Sequence, residues 1–239
     1  MNIQPYIILN GIDSRTITGL LISSLAPISK PQVRTQVETI DGRSGDIVTP
    51  LGYNAYDKPI KIGLTYNYNI DDVIEYFNSS GLVTFSNEPD KVYQYAIYEQ
   101  IDFEKLIRFK TAEVVLHVQP FKFSTLEQPR SFVIESSPAT LSVYNSGNYY
   151  SCPVMSITAS GVVTFALNGS DLLSIDFGDT AQTIIIDCEA MNAYNSQNIL
   201  LNRLVTGNYD NIKLIKGSNE IVLTGNVTAF TINKYSRWI

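Results

Sequence analysis

Histidine, tryptophan and cysteine are nearly missing from this chain of 239 residues, which holds one His, one Trp and two Cys. The single imidazole, His117, excludes every site built on two histidines and leaves any Ser-His-Asp or Cys-His arrangement dependent on one ring. That ring falls mid-strand, on the face opposite Leu116 and Val118. Catalytic groups favour loops at strand ends, so His117 reads as a surface or interface histidine. Cys152 and Cys188 are too few and too widely spaced for a secreted disulfide scaffold or a CxxC metal site. They read as two buried or half-buried thiols. No run of about 18 apolar residues is present, and the start Met1-Asn2-Ile3-Gln4-Pro5-Tyr6 has no basic n-region leading into an apolar stretch. No membrane insertion is expected, and the protein is expected to stay where it is made.

The catalytic signatures are absent as well. There is no GxSxG elbow, no GxxxxGKS/T phosphate loop, no HExxH helix and no GxGxxG after a strand. Carboxylates are plentiful, and a glycosidase needs only two at the right separation. The candidates Asp171, Asp176, Asp179 and Asp187 lie near turns or on polar strand phases, where a solvated face is the default. The stretch from Asp171 to Asp179 also lacks the alternating oxygen ligands of an EF-hand loop. No enzyme activity, metal or cofactor is expected. Basic charge is likewise scarce: Lys+Arg 17 against Asp+Glu 23 gives a net charge of -6. The sequence pI of about 4.8 lies far below the roughly pI > 9 of nucleic-acid-binding domains. A DNA-coating role is disfavoured.

What the chain does contain is strands. With 44% hydrophobic and 17% charged residues it can bury a substantial core. Ile60, Ile62 and Leu64 alternate with Lys61 and Gly63, and Ala112, Val114, Leu116 and Val118 with Glu113, Val115, His117 and Gln119. Both are the period-2 pattern of a half-buried strand. One short helix interrupts them between Asn69 and Gly81. There Ile70, Val73, Ile74 and Phe77 fall at helical spacing, Asn69 serves as cap, Asp71 and Asp72 complement the dipole, and Gly81 is expected to supply a left-handed stop. So short a helix must dock its apolar stripe on the sheet.

Composition changes at Thr125-Leu126-Glu127-Gln128-Pro129-Arg130, where a proline and mixed charges break the alternation. This places a domain over 1–126 and a second over 127–239. The second shows short strands between turn signals, including Asn168-Gly169-Ser170, Ala159-Ser160-Gly161 and Thr224-Gly225-Asn226, which suggests a β-sandwich. Its expected core faces are Val163, Phe165 and Leu167; Leu173, Ile175 and Phe177; Ile184, Ile186 and Cys188; and Phe230 with Ile232.

One connection stands apart. Thr39-Ile40-Asp41-Gly42-Arg43-Ser44-Gly45-Asp46 runs on through Thr49-Pro50-Leu51-Gly52-Tyr53-Asn54 to the Ile60 strand. A connection this long inside a compact domain is usually functional or mobile. It is either an ordinary long hairpin or an arm that packs on a neighbouring copy, in which Gly42 and Gly45 permit positive φ and Arg43 offers a planar donor fork.

Gly42-Arg43-Ser44-Gly45 resembles the Gly-Arg-x-Gly-like element of the distal tail (Dit) proteins of long-tailed bacteriophages. Further segments are similar to that family in the same order. They are the helix Asp71 to Asn78 with the strand Gly81-Leu82-Val83-Thr84-Phe85, the strand Glu113 to Phe121, the stretches Pro153 to Gly161 and Leu214 to Ile221, and the ending Tyr235-Ser236-Arg237-Trp238-Ile239. The resemblance implies a mainly β protein with one short α-helix, whose ring-forming, β-rich (α+β) N-terminal domain carries a long β-hairpin arm and precedes a galectin-like β-sandwich. It implies a structural component of the virion tail tip or baseplate, assembled in the host cytoplasm as a homo-hexameric hub ring. The ring would join the tail-tube protein to the tail-tip spike or tail-associated lysin and anchor receptor-binding or other peripheral proteins, with DNA passing through unbound. Asp41, Gly42, Arg43, Gly45 and Tyr53 would form the inter-subunit arm.

Two other readings compete. One is a carbohydrate-binding module contacting host-surface glycans through Tyr144, Tyr149, Tyr150 or Tyr194, although Trp238 is terminal and His117 lies in the other half. The other is the tail-tube protein, which gives no reason for a second sandwich.

Overall fold

The computed structural model describes residues 4–239, divided into two compact units, the first reaching Thr125 and the second spanning Leu126–Trp238. The first unit holds β1 (Ile7–Leu9), β2 (Ile12–Asp13), β3 (Leu20–Ser24), β4 (Val33–Thr39), β5 (Asp46–Tyr53), β6 (Tyr56–Leu64), α1 (Ile70–Phe77), β7 (Gly81–Phe85), β8 (Lys91–Ala96), α2 (Phe103–Phe109) and β9 (Thr111–Ser124). Its main sheet is antiparallel in the order β2-β1-β7-β8-β9-β6-β3. The alternation in β6 and β9 sets the register. Ile60 faces Val114 and Ile62 faces Ala112, and these side chains join Ile7, Leu9, Val83 and Phe85 in one core.

Helix α1 begins as its sequence predicts, with Asn69 Oδ1 accepting from the Asp71 amide at 3.1 Å. Val73 and Phe77 are buried, but Ile74 is exposed and Tyr76 takes its place in the core. The Tyr76 hydroxyl donates to the carbonyls of Ile7 and Ile12 at 3.1 and 3.2 Å, so an aromatic body packs while its polar tip is satisfied. Gly81 does not stop this helix. Asn78 is the C-cap, and Gly81 opens β7 at φ 144. A Cβ there would sit 2.1 Å from Asn10 Oδ1, which bonds the Leu82 amide at 2.8 Å. The glycine makes room for that brace. A second helix, α2, joins the single one expected. Asp102 caps it by accepting from the Lys105 amide at 2.8 Å, Lys110 ends it in the left-handed region at φ 59, and Leu106 is its one buried residue.

The second unit holds β10 (Arg130–Val133), β11 (Ala139–Asn145), β12 (Val154–Leu167), β13 (Ser170–Asp176), β14 (Gln182–Asp187), β15 (Asn192–Tyr194), β16 (Val205–Gly207) and β17 (Gly217–Asn233). The two long strands organise it. β12 pairs with β17 along nearly its whole length, with β14 through its first half and with β13 through its second. β17 also carries β10 and β11. Every expected core face is buried, and all of them meet in a single cluster.

Two expected turns are bends within strands. Ser160 still faces Asn226 and Thr164 faces Thr224, with a register shift between them. Gly161 at φ 71 and Gly225 at φ 134 sit at that bend. Glycine in a strand interior marks a bulge as readily as a turn. Here the two bends are stacked on neighbouring strands and let both continue.

Candidate functional site: the hairpin arm and its root

β4 and β5 pair only with each other, in a ladder that runs from Val33 opposite Tyr53 to Thr39 opposite Asp46. Strands of this length extend about 25 Å at ~3.3 Å per residue. From Arg34 to Leu51 every residue is exposed except Ile47, which is half-buried. One face is largely apolar or hydroxylic: Val33, Thr35, Val37 and Thr39 stand opposite Tyr53, Pro50, Val48 and Asp46. Val37 and Val48 form a direct cross-strand pair, 55% and 57% exposed.

The tip is a short polar turn. The Arg43 amide donates to the Ile40 carbonyl at 3.1 Å, and the Thr39 hydroxyl donates to Asp46 Oδ1 at 2.9 Å. Gly42 and Gly45 have φ 81 and 80, and the space around each Cβ position is empty. These glycines serve the turn conformation itself. Four of the five expected arm residues, Asp41, Gly42, Arg43 and Gly45, therefore gather at the tip. Tyr53 does not join them. It ends β5 at the base of the ribbon, where its ring meets Phe121 edge-on at 5.9 Å.

The root is held as firmly as the tip is bare. Lys58 Nζ donates to the Pro27 carbonyl at 3.2 Å, Asn87 to the Ala26 carbonyl at 3.2 Å, and the Asn54 amide to the Gln32 carbonyl at 2.9 Å. Lys58 is only 1% exposed, and its ammonium lies over the rings of Phe85 and Tyr93 at 5.1 and 5.3 Å. Burial there holds its pKa below the ordinary lysine value. Beside it Glu88 pairs with Lys122 and accepts from the Tyr93 hydroxyl. Burial, reinforced by Glu88, pushes the Tyr93 phenol far above its usual range. This network went unread in the sequence, although a signal exists. Lys58 and Lys122 occupy the even positions that carry core residues in β6 and β9, so each is a charge in core phase.

The remaining candidates take structural or surface places. His117 Nδ1 lies 2.7 Å from Asp57 Oδ1 on the outward phase of the sheet, with the Tyr98 ring 5.1 Å away. Asp176 and Asp187 accept backbone amides in their own turns at 2.9 to 3.0 Å. Among the described residues no group of three or more His, Cys, Asp or Glu is placed to hold a metal ion. The rings of Tyr149 and Tyr150 lie tilted against each other with centroids 4.5 Å apart, while Tyr144 is exposed on β11 and Tyr194 is half-buried on β15. Lys105, Arg108 and Lys110 are all exposed on or beside α2.

No model of a known protein family matches the chain, and no curated protein matches it. Solved structures do. The Dit protein of phage SPP1, described as a paradigm of hub adsorption apparatus in phages infecting Gram-positive hosts, superposes with a TM-score of 0.69 at 14% identity, over 96% of this chain and 98% of that one. A chain of the phage p2 baseplate in its activated conformation with Sr gives 0.50 at 11% identity over 97% and 98%, respectively. Its counterpart with Ca gives 0.50 at 11% identity over 96% of each chain. Over nearly its whole length the chain has the fold of a Dit-type phage hub protein.

Proposed function

We propose that this protein is a structural component of a bacteriophage tail tip, without a catalytic role. In this reading six copies form a ring through the N-terminal domain, residues 1–126. Asp41, Gly42, Arg43, Gly45 and Tyr53 belong to an arm that lies on the next subunit. The ring joins the tail-tube protein to the tail-tip spike or tail-associated lysin, and the domain over 127–239 serves peripheral or receptor-binding proteins as a docking point. The observation that carries it is the uncovered ribbon. A two-stranded hairpin is marginal by itself in water, and this one exposes Val37, Ile40, Val48 and Leu51, whose burial would contribute about 25 cal/mol per Å² of apolar surface. Assembly would occur in the host cytoplasm and the mature site would be the virion tail tip. Six chains at -6 carry a formal -36, which repels a phosphate backbone and suits a channel that passes DNA without holding it.

Light scattering and negative-stain images of the full chain, alone and with its axial partners, test this. A closed ring of six with peripheral lobes is expected. A monomer under both conditions overturns the reading, and long tubes would identify a tube protein instead.

A further inference from the structure

The β1–β2 turn, the residues after β2 and helix α1 enclose a surface cavity of about 400 Å³ whose lining includes Leu9, Ile12, Ile17, Asp72, Glu75 and Tyr76. Its composition is two-sided. Leu9, Ile12 and Ile17 are apolar, and Ile12 is 53% exposed. Asp72 and Glu75 are three residues apart on α1, so they stand on one face of it. Neither carboxylate has an ion-pair or hydrogen-bond partner among the described residues. Arg15, just after β2, is engaged instead with Asp13, its guanidinium nitrogens lying 2.5 to 3.1 Å from that carboxylate. The Tyr76 hydroxyl is likewise committed to Ile7 and Ile12.

The arm tip presents the complement. Arg43 is exposed, and its guanidinium has no carboxylate partner among the described residues. Ile40, three residues away, is 47% exposed. The tip also carries Asp41 and Asp46, so it is not a basic patch. What matches is one donor fork beside one apolar side chain, set against two carboxylates beside apolar walls. Arginine suits such a place because its stem covers apolar surface while its planar fork takes carboxylates bidentately.

We propose that this cavity is the socket for the arm tip of a second copy of the chain, with Arg43 seated between Asp72 and Glu75 and Ile40 against Ile12. The inference rests on the arm reading above and adds where the arm lands. Charge reversal tests it by sedimentation equilibrium, with circular dichroism to check each fold. Arg43→Glu and Glu75→Arg should each weaken self-association at least about tenfold, as desolvated interface ion pairs do. Combining Arg43→Glu with Glu75→Arg in one chain should recover most of the loss. If a reversed protein fails to fold, Arg43→Gln and Glu75→Gln, which keep shape, should each weaken self-association in the same direction by a smaller factor. Weakening by Arg43→Glu with no effect of Glu75→Arg or Asp72→Arg, and no recovery in the combination, overturns the socket and leaves the arm reading standing. Unchanged association after deletion of Gly42 to Gly45 removes both.

Discussion

Lys122 and Glu88 illustrate what a single side chain contributes in this protein. Both are nearly buried and paired, so removing one strands the other's charge in a low-dielectric site. Lys122→Met should cost the first unit about 3 kcal/mol in urea unfolding, whereas breaking the more exposed pair of Arg15 with Asp13 should cost far less. The buried phenols make a second prediction. Burial raises the pKa of Tyr76, Tyr93 and Tyr95 above 10.0, and burial likewise raises the Cys188 thiol above 9.0. A group whose folded value is raised keeps its full contribution below the unfolded value and loses it above. The melting temperature should therefore hold to about pH 9 and fall steadily beyond it. A flat profile to pH 11 would show that these groups are less enclosed. At this scale the sequence was half legible. The core-phase lysines stand out against their neighbours in β6 and β9, but their partner Glu88 lies in a turn, where no periodicity points to it.

The elements show why some patterns were readable. β6, β9 and α1 carry long alternations or a clear cap, and local preference agrees there with tertiary packing. α2 fully buries only Leu106, and its stripe of Phe103, Leu106 and Ile107 spans barely one turn, too short to stand out as a periodicity. The glycines misled for a different reason. Thr224-Gly225-Asn226 has turn composition, yet both flanking halves stay hydrogen-bonded to β12, so the extra twist is absorbed as a bend. A Cβ on Gly225 would lie 2.6 Å from the Val162 carbonyl oxygen, at a φ of 134 that L side chains avoid. Gly225→Ala should therefore cost the second unit about 2 kcal/mol or more, through strain as well as contact. Gly169→Ala at the β12–β13 hairpin, where the Cβ position is empty, should cost less. Equal losses would mean that the φ penalty dominates and the close approach is relieved.

On the scale of the whole chain, the order of strands and helix was visible before the structure because each segment kept its own periodicity. The bare apolar face of the ribbon was not, because exposure cannot be read from alternation alone. The proposed neighbour would cover β4 and β5, and until then the tip stands fully open. That openness makes the subunit chemically distinguishable from its assembled form. Arg43 is flanked by Gly42 and Ser44 in a solvent-exposed turn, the kind of peptide a protease accepts without unfolding anything. Brief trypsin treatment of the free chain should cut first after Arg43 and yield two fragments that remain associated through the sheet. The same treatment of an assembled ring should leave the chain intact, so resistance at this one bond would time-stamp the moment a subunit is incorporated.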